Sequence, residues 1–133
     1  MLQIAIVDDS EDIRALFRAQ LVGDAELQVC AEGADGQSAI DIARRLRPDV
    51  MLLDLSMPGM SGLDALPLIL AASPDTAVIV LSGFGRRGFA DAAYALGARG
   101  FLEKNLPVGS LSDRVLAVLR GEPAEPARSS GPW

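Results

Sequence analysis

A chain of 133 residues, half of them apolar, is long enough for one domain with a buried core and too short for two. A net charge of −6 with no basic stripe argues against nucleic-acid binding by this domain alone. The lack of any His removes imidazole catalysis and imidazole metal ligation, which leaves oxygen ligands as the plausible metal chemistry.

No apolar run approaches the ~20 residues of a membrane span, and Met1 to Val7 runs straight into a strand-like pattern. No signal peptide and no membrane contact are therefore expected, and a cytoplasmic location is. Cys30 is the lone cysteine and lies in an alternating apolar segment, so a small buried core residue is expected.

In chain order, Gln3 to Val7 reads as a first strand. Asp8-Asp9-Ser10 offers capping side chains, and Ile13, Leu16, Phe17 and Leu21 follow at helical spacing up to Gly23-Asp24. Leu27, Val29 and Ala31 alternate as a second strand, more polar than the others and suited to an edge. Ala39, Ile40, Ala43 and Leu46 mark a second helix that ends before Pro48. Asp49 to Asp54 is a third strand, apolar enough to be covered on both faces, with the turn residues Pro58, Gly59 and Gly62 after it. Leu63, Leu66, Ile69 and Leu70 make a third helix, in which Pro67 fits only if it falls in the first turn. Ala77 to Leu81 is a fourth buried strand, Phe89 to Leu96 a fourth helix closed by Gly97, Arg99 to Leu102 a short fifth strand, and Leu111 to Leu119 a fifth helix. From Gly121 the Pro-, Ala- and Ser-rich sequence has no periodicity, so residues 1–120 are expected to fold and 121–133 to form a solvated tail or the start of a linker. Five alternations of strand and helix, joined by right-handed crossovers, predict an α/β fold with a doubly wound parallel sheet and helices on both faces.

The carboxyl ends of these strands carry Asp8 and Asp9, Asp54, Ser82, and Lys104. Ligands of open parallel sheets bind along that rim. Three carboxylates at one place repel unless they share a hard cation, for which Mg²⁺ suits a few carboxylates plus waters. Each residue also has a plainer reading. Asp8 and Asp9 can be helix caps, Ser82 a turn residue, Lys104 a solvated strand end. Eleven of the twelve basic residues are Arg, and the one Lys is Lys104, a compact point charge rather than a planar fork.

With Val7-Asp8-Asp9-Ser10, Leu53-Asp54-Leu55-Ser56-Met57-Pro58-Gly59-Met60-Ser61-Gly62, Leu81-Ser82-Gly83 and Gly97 to Lys104 in this order, the chain resembles a CheY-like receiver domain of two-component response regulators. The resemblance covers residues 3 to about 120, and the chain also resembles the subgroup of receivers that precede a helix-turn-helix. It implies a flavodoxin-like sheet of order 2-1-3-4-5. It implies Asp54 as the nucleophile that takes a phosphoryl group from the His of a sensor histidine kinase or phosphotransfer protein. Asp9, Asp54 and the carbonyl of Ser56 would hold Mg²⁺, with Asp8 acting through water. Lys104 would pair with a phosphoryl oxygen, and Ser82 would swing its hydroxyl onto another. Phe101 would turn inward into the space Ser82 leaves, unless it is a plain core aromatic. Such a receiver phosphorylates and dephosphorylates itself rather than acting as a conventional enzyme. It would relay the phosphoryl signal to a downstream effector or an absent C-terminal output domain, and a homodimer stays open.

Three features depart from the family pattern. Asn105-Leu106 follows Lys104 where Pro is common, Gly83 stands where Ala is usual, and Phe84 and Ser56 occupy the positions that tune dephosphorylation, Phe84 as a shield against water. Three rival readings remain. Gly83 to Gly88 is a literal G-x-G-x-x-G with Glu103 beyond it, the pattern of a dinucleotide site, but it follows the fourth strand rather than the first. An aspartyl-phosphate phosphohydrolase would need an acid where Ser56 stands. A pseudo-receiver would keep the fold as a binding module and never be phosphorylated.

Overall fold

The computed structural model describes residues 1–83, 87–105 and 110–122. Strands and helices alternate as β1 (Leu2–Val7), α1 (Glu11–Val22), β2 (Leu27–Gly33), α2 (Gly36–Leu46), β3 (Val50–Asp54), α3 (Gly62–Ala72), β4 (Ala77–Ser82), α4 (Ala90–Ala95), β5 (Gly100–Glu103) and α5 (Leu111–Leu119), with a 3₁₀ turn at Arg87–Phe89 before α4. The sheet is wholly parallel in the order β2-β1-β3-β4-β5, as expected. The polar strand β2 lies at an edge, and the apolar strands β3 and β4 are interior, because an interior strand is covered on both faces.

Alternate side chains of each strand serve opposite layers. Ala5, Val7, Met51, Leu53, Val78, Val80 and Phe101 pack with Ala39, Ala65, Leu66 and Ala93 from α2, α3 and α4. Ile4, Ile6, Leu52, Ile79, Leu81 and Leu102 pack with Phe17, Leu21, Val115 and Val118 from α1 and α5. Small Ala residues on α2 and α3 let the helices sit close to the sheet.

Local chemistry sets the element ends. Ser10 caps α1 by accepting from the Ile13 amide, Asp35 caps α2 through the Ser38 amide, and Ser61 caps α3 through the Asp64 amide. Because Ser10 is the cap of α1, Asp8 and Asp9 are not used as caps.

Several expectations are corrected. Pro67 is the sixth residue of α3, not in its first turn. The helix continues past it, with Pro67 on the exposed face and the Leu63 carbonyl without the bond that its missing amide would have made. The fourth helix is shorter than read from Phe89 to Leu96: its first turn is 3₁₀, Phe89 at its start makes no side-chain cap, and Gly97 at φ +109° ends it. Cys30 is half-buried rather than buried, because β2 is an edge strand. Among the described residues no peptide bond is cis, so the chain leaves Lys104 for Asn105 through a trans bond. Of the expected tail, residues 123–133 lie outside the described residues.

Candidate functional site

The rim at the carboxyl ends is held by backbone bonds that continue past the strands. The Asp8 amide donates to the Gly33 carbonyl at 3.0 Å, the Leu55 amide to Leu81 at 2.8 Å, and the Lys104 amide to Ser82 at 2.8 Å. These bonds tie the exit of β1 to β2 and the exits of β3 and β5 to β4, and the pairing of Val7 with Leu53 joins the two sets, so the rim is set before any side chain is considered.

On that frame the structure brings Asp8, Asp9, Asp54 and Lys104 together. One carboxylate oxygen from each of the three acids lies within 4.8 Å of the others. Asp8 and Asp54 are buried, with 0% and 1% exposure, and Asp9 is exposed, so the cluster opens to solvent on the Asp9 side. Lys104 Nζ stands 2.8 Å from Asp8 Oδ2 and 2.9 Å from Asp54 Oδ1, one ammonium between two buried carboxylates. Asp8 Oδ1 accepts from the Ser10 amide at 2.8 Å, and Asp54 Oδ1 accepts from the Ser56 amide at 3.2 Å. Asp54 Oδ2 is buried and has no hydrogen-bond partner among the described residues. A buried carboxylate oxygen without a donor is costly unless a ligand or cation completes it.

Electrostatics follow from this burial. Loss of hydration, aided by the neighbouring charge of Asp8 and only partly offset by Lys104 and the Ser56 amide, pushes the Asp54 carboxyl up from 3.8 to about 6. For Lys104 burial works the other way, but its bonds to Asp8 and Asp54 outweigh it and hold the ammonium above its ordinary value. The effect on stability has a definite sign. Between pH 3.8 and about 6 the folded chain keeps a proton that the unfolded chain has released, so stability falls as pH rises through that window. Asp54→Asn mimics the neutral acid and is expected to stabilise the metal-free protein at pH 7.5 by up to about 3 kcal/mol. The gain should vanish near pH 3.5, and urea unfolding with a chelator at the two pH values measures it.

The other expected residues are placed as follows. Ser56 is exposed on the loop after β3, with its amide turned back to Asp54. Ser82 is fully buried at the end of β4, and its hydroxyl donates to the Gly83 carbonyl at 3.0 Å rather than into the acidic cluster. Phe101 pairs with Val80 across the sheet and is already inside, 2% exposed, among the residues beneath α4. Phe84 lies outside the described residues, as do two further positions of the G-x-G-x-x-G stretch. That stretch follows β4, and the helix after it begins only at Ala90, past a 3₁₀ turn, which does not match a glycine-rich turn opening directly into a helix. An open pocket of about 410 Å³ lies beside the cluster, walled by Asp9, Ser56, Met57, Pro58 and Phe89.

Two contributors were not anticipated. Arg14 reaches back from α1 to the Asp8 carbonyl at 2.5 Å. Gly62 was read as a turn residue, but the need at that position is space: an added Cβ would stand 2.2 Å from the Asp54 carbonyl oxygen.

Comparison with known proteins agrees with this geometry. The model of the response regulator receiver domain matches residues 4–116. The chemotaxis protein CheY of Listeria monocytogenes is 36% identical over 119 residues, covering 90% of this chain and 96% of that protein. The transcriptional regulatory protein YxjL of Bacillus subtilis is 32% identical over 121 residues, covering 91% of this chain and 56% of that protein. The signal receiver domain of the response regulator NarL from Mycobacterium tuberculosis superposes with a TM-score of 0.84 at 27% identity, covering 91% of this chain and 98% of that one. The chain thus spans about half the length of the transcriptional regulators it matches and nearly all of the chemotaxis protein. Among the described residues no helix is long and apolar enough to cross a membrane. With its five-stranded parallel sheet, its acidic rim and a family match over most of its length, the chain belongs to the response regulator receiver domain family.

Proposed function

We propose that this chain is the phosphoacceptor switch of a two-component system and that Asp54 receives the phosphoryl group. The observation that carries the reading is Asp54 Oδ2, a buried carboxylate oxygen with no hydrogen-bond partner among the described residues, beside the Lys104 ammonium. In the transfer, Asp54 Oδ2 forms a bond to the phosphorus of a phosphohistidine on the donor. The phosphorus–nitrogen bond breaks, and its electron pair stays on the imidazole, which takes up a proton. Lys104, already within hydrogen-bond distance of Asp54, would hold a phosphoryl oxygen. The pocket beside Asp9 and Ser56 gives the donor access.

The donor set fits a hard divalent cation, since all three acids offer oxygen within one small volume. Asp9, Asp54 and the backbone carbonyl of Ser56 would hold Mg²⁺, with Asp8 acting through water. When bound, it would offset the repulsion between the carboxylate and the phosphoryl oxygens.

The new charge on Asp54 would draw the Ser82 hydroxyl from the Gly83 carbonyl onto a phosphoryl oxygen. Phe101 begins from the inward position, so its part in the switch would be a shift within the core beneath α4. α4 buries one side chain among its described residues, Ala93, and is the helix least tied to the sheet in that sense. The partners implied are a histidine kinase or phosphotransfer protein upstream and an effector or output domain downstream.

Incubation with acetyl phosphate and Mg²⁺, read by intact mass, tests the reading. One added phosphoryl group is expected on the wild-type chain and none on Asp54→Asn. No gain on the wild type would leave a pseudo-receiver, a binding module that is not phosphorylated.

A further inference from the structure

The Arg14 side chain is only 13% exposed. An arginine is seldom so covered unless every face of its fork is used. Here Nη1 donates to the Asp8 carbonyl at 2.5 Å, Nη2 to Glu11 at 2.5 Å and Nε to Glu32 at 3.3 Å. The three acceptors belong to the exit of β1, the first turn of α1 and strand β2. Glu32 is held in turn by Arg18. Arg14 reaches this place because its own amide bonds the Ser10 carbonyl, one turn into α1.

The consequence falls on the acidic cluster. The Asp8 amide is fixed to the Gly33 carbonyl, its side chain to the Ser10 amide, and its carbonyl to Arg14. That carbonyl belongs to the peptide joining Asp8 to Asp9, so holding it fixes the plane from which the Asp9 carboxylate leaves the backbone. The guanidinium thereby brings a positive charge to the backbone of the first acid, while Lys104 meets the carboxylate of the same residue.

We propose that Arg14 is a positioning residue for the cation site, acting through the Asp8–Asp9 peptide to hold the Asp9 carboxylate toward Asp54. The proposal rests on the metal-dependent reading above. It requires no contact between Arg14 and the cation. It predicts that Arg14 sets how tightly the cation binds, more than how fast the chemistry runs once it is bound.

The test is Mg²⁺ titration of the unphosphorylated protein by calorimetry, together with the Mg²⁺ concentration giving half-maximal phosphorylation by acetyl phosphate. Arg14→Met is expected to weaken Mg²⁺ binding about tenfold and to raise the half-maximal concentration in step, with the rate at saturating Mg²⁺ within about threefold of wild type. Arg14→Lys, which keeps one charge and loses the fork, should fall between the two. Glu32→Gln, which leaves Arg14 in place and loosens one anchor, should weaken binding by about twofold to threefold, and it keeps the proposal testable if Arg14→Met does not fold. A purely structural role would instead lower the melting temperature and the saturating rate while leaving Mg²⁺ affinity unchanged, and that result overturns the proposal. Wild-type protein that binds no Mg²⁺ overturns the functional reading and this inference with it, whereas wild-type binding matched by Arg14→Met and Glu32→Gln overturns only the role given to Arg14.

Discussion

Lys104→Met is expected to slow phosphoryl uptake from acetyl phosphate by about a hundredfold or more at pH 7, the range seen when one preorganised donor is removed from a site of developing charge. Methionine keeps the length and apolar stem of lysine and removes only the ammonium. That ammonium lies 2.8 Å from Asp8 and 2.9 Å from Asp54, both buried. Without it, two buried carboxylates face each other with no cation between them. The Asp54 carboxyl, already raised to about 6 by burial, should rise further, so less of it is ionised at neutral pH. The residual rate should then climb over a more alkaline range than in the wild type. Mg²⁺ affinity should move the opposite way from the rate. With no ammonium drawing on the Asp8 and Asp54 carboxylates, a divalent cation would bind at least as tightly. Stopped uptake with intact or improved Mg²⁺ binding separates a role for Lys104 on the phosphoryl group from a role in building the metal site. Lys104→Arg should not restore the rate, because a planar fork does not fit between two carboxylates held by a point charge. Wild-type uptake in Lys104→Met would remove the ammonium from the chemistry.

The parts of this arrangement visible in the sequence are those governed by short-range pattern. Strand period, helix period and turn residues placed ten of the elements in order, and the polarity of β2 against β3 and β4 placed edge and interior. Once strands and helices alternate, crossover handedness puts Asp8, Asp9, Asp54, Ser82 and Lys104 on one rim, so the cluster was legible without any coordinates. What stayed hidden depends on contacts across the chain. Arg14 reads as one more charge on a helix face, and its importance comes from Glu32, 18 residues later on β2, and from a carbonyl that sequence does not display. Pro67 predicted an early position in its helix, because propensity does not know which face is turned to solvent. Phe101 was open between an aromatic that turns inward and a plain core residue; its ring is buried in one cluster with Ala93 and Ala98, a packing that strand period alone does not reveal.

Gly62 belongs with the hidden contacts, and replacing it has the largest expected effect on the fold. Glycine here supplies no unusual dihedral: in this loop Gly59 has the positive φ, +76°. At Gly62 an added Cβ would lie 2.2 Å from the Asp54 carbonyl oxygen and 3.0 Å from both the Asp54 carbonyl carbon and Leu55 Cα. All three are backbone atoms, so no side chain can rotate out of the way. α3 must retreat from the end of β3, which breaks the 2.9 Å bond from the Gly62 amide to the Leu55 carbonyl. Gly62→Ala is therefore expected to destabilise by about 3 kcal/mol, the upper end for overpacking a close-packed interior. Retreat of the helix also pulls on the peptide that carries Asp54. A displacement near 1 Å at the proposed nucleophile costs on the order of a hundredfold in rate, so phosphoryl uptake should fall even at temperatures where the variant is folded. Gly23→Ala is the control, since a Cβ there meets nothing within 4 Å and Gly23 adopts an ordinary helical conformation. Urea unfolding and acetyl phosphate uptake on both variants decide the matter. Equal stability and uptake for Gly62→Ala and Gly23→Ala would mean that α3 does not approach β3 as closely as this, and the packing that aims Asp54 would need another source.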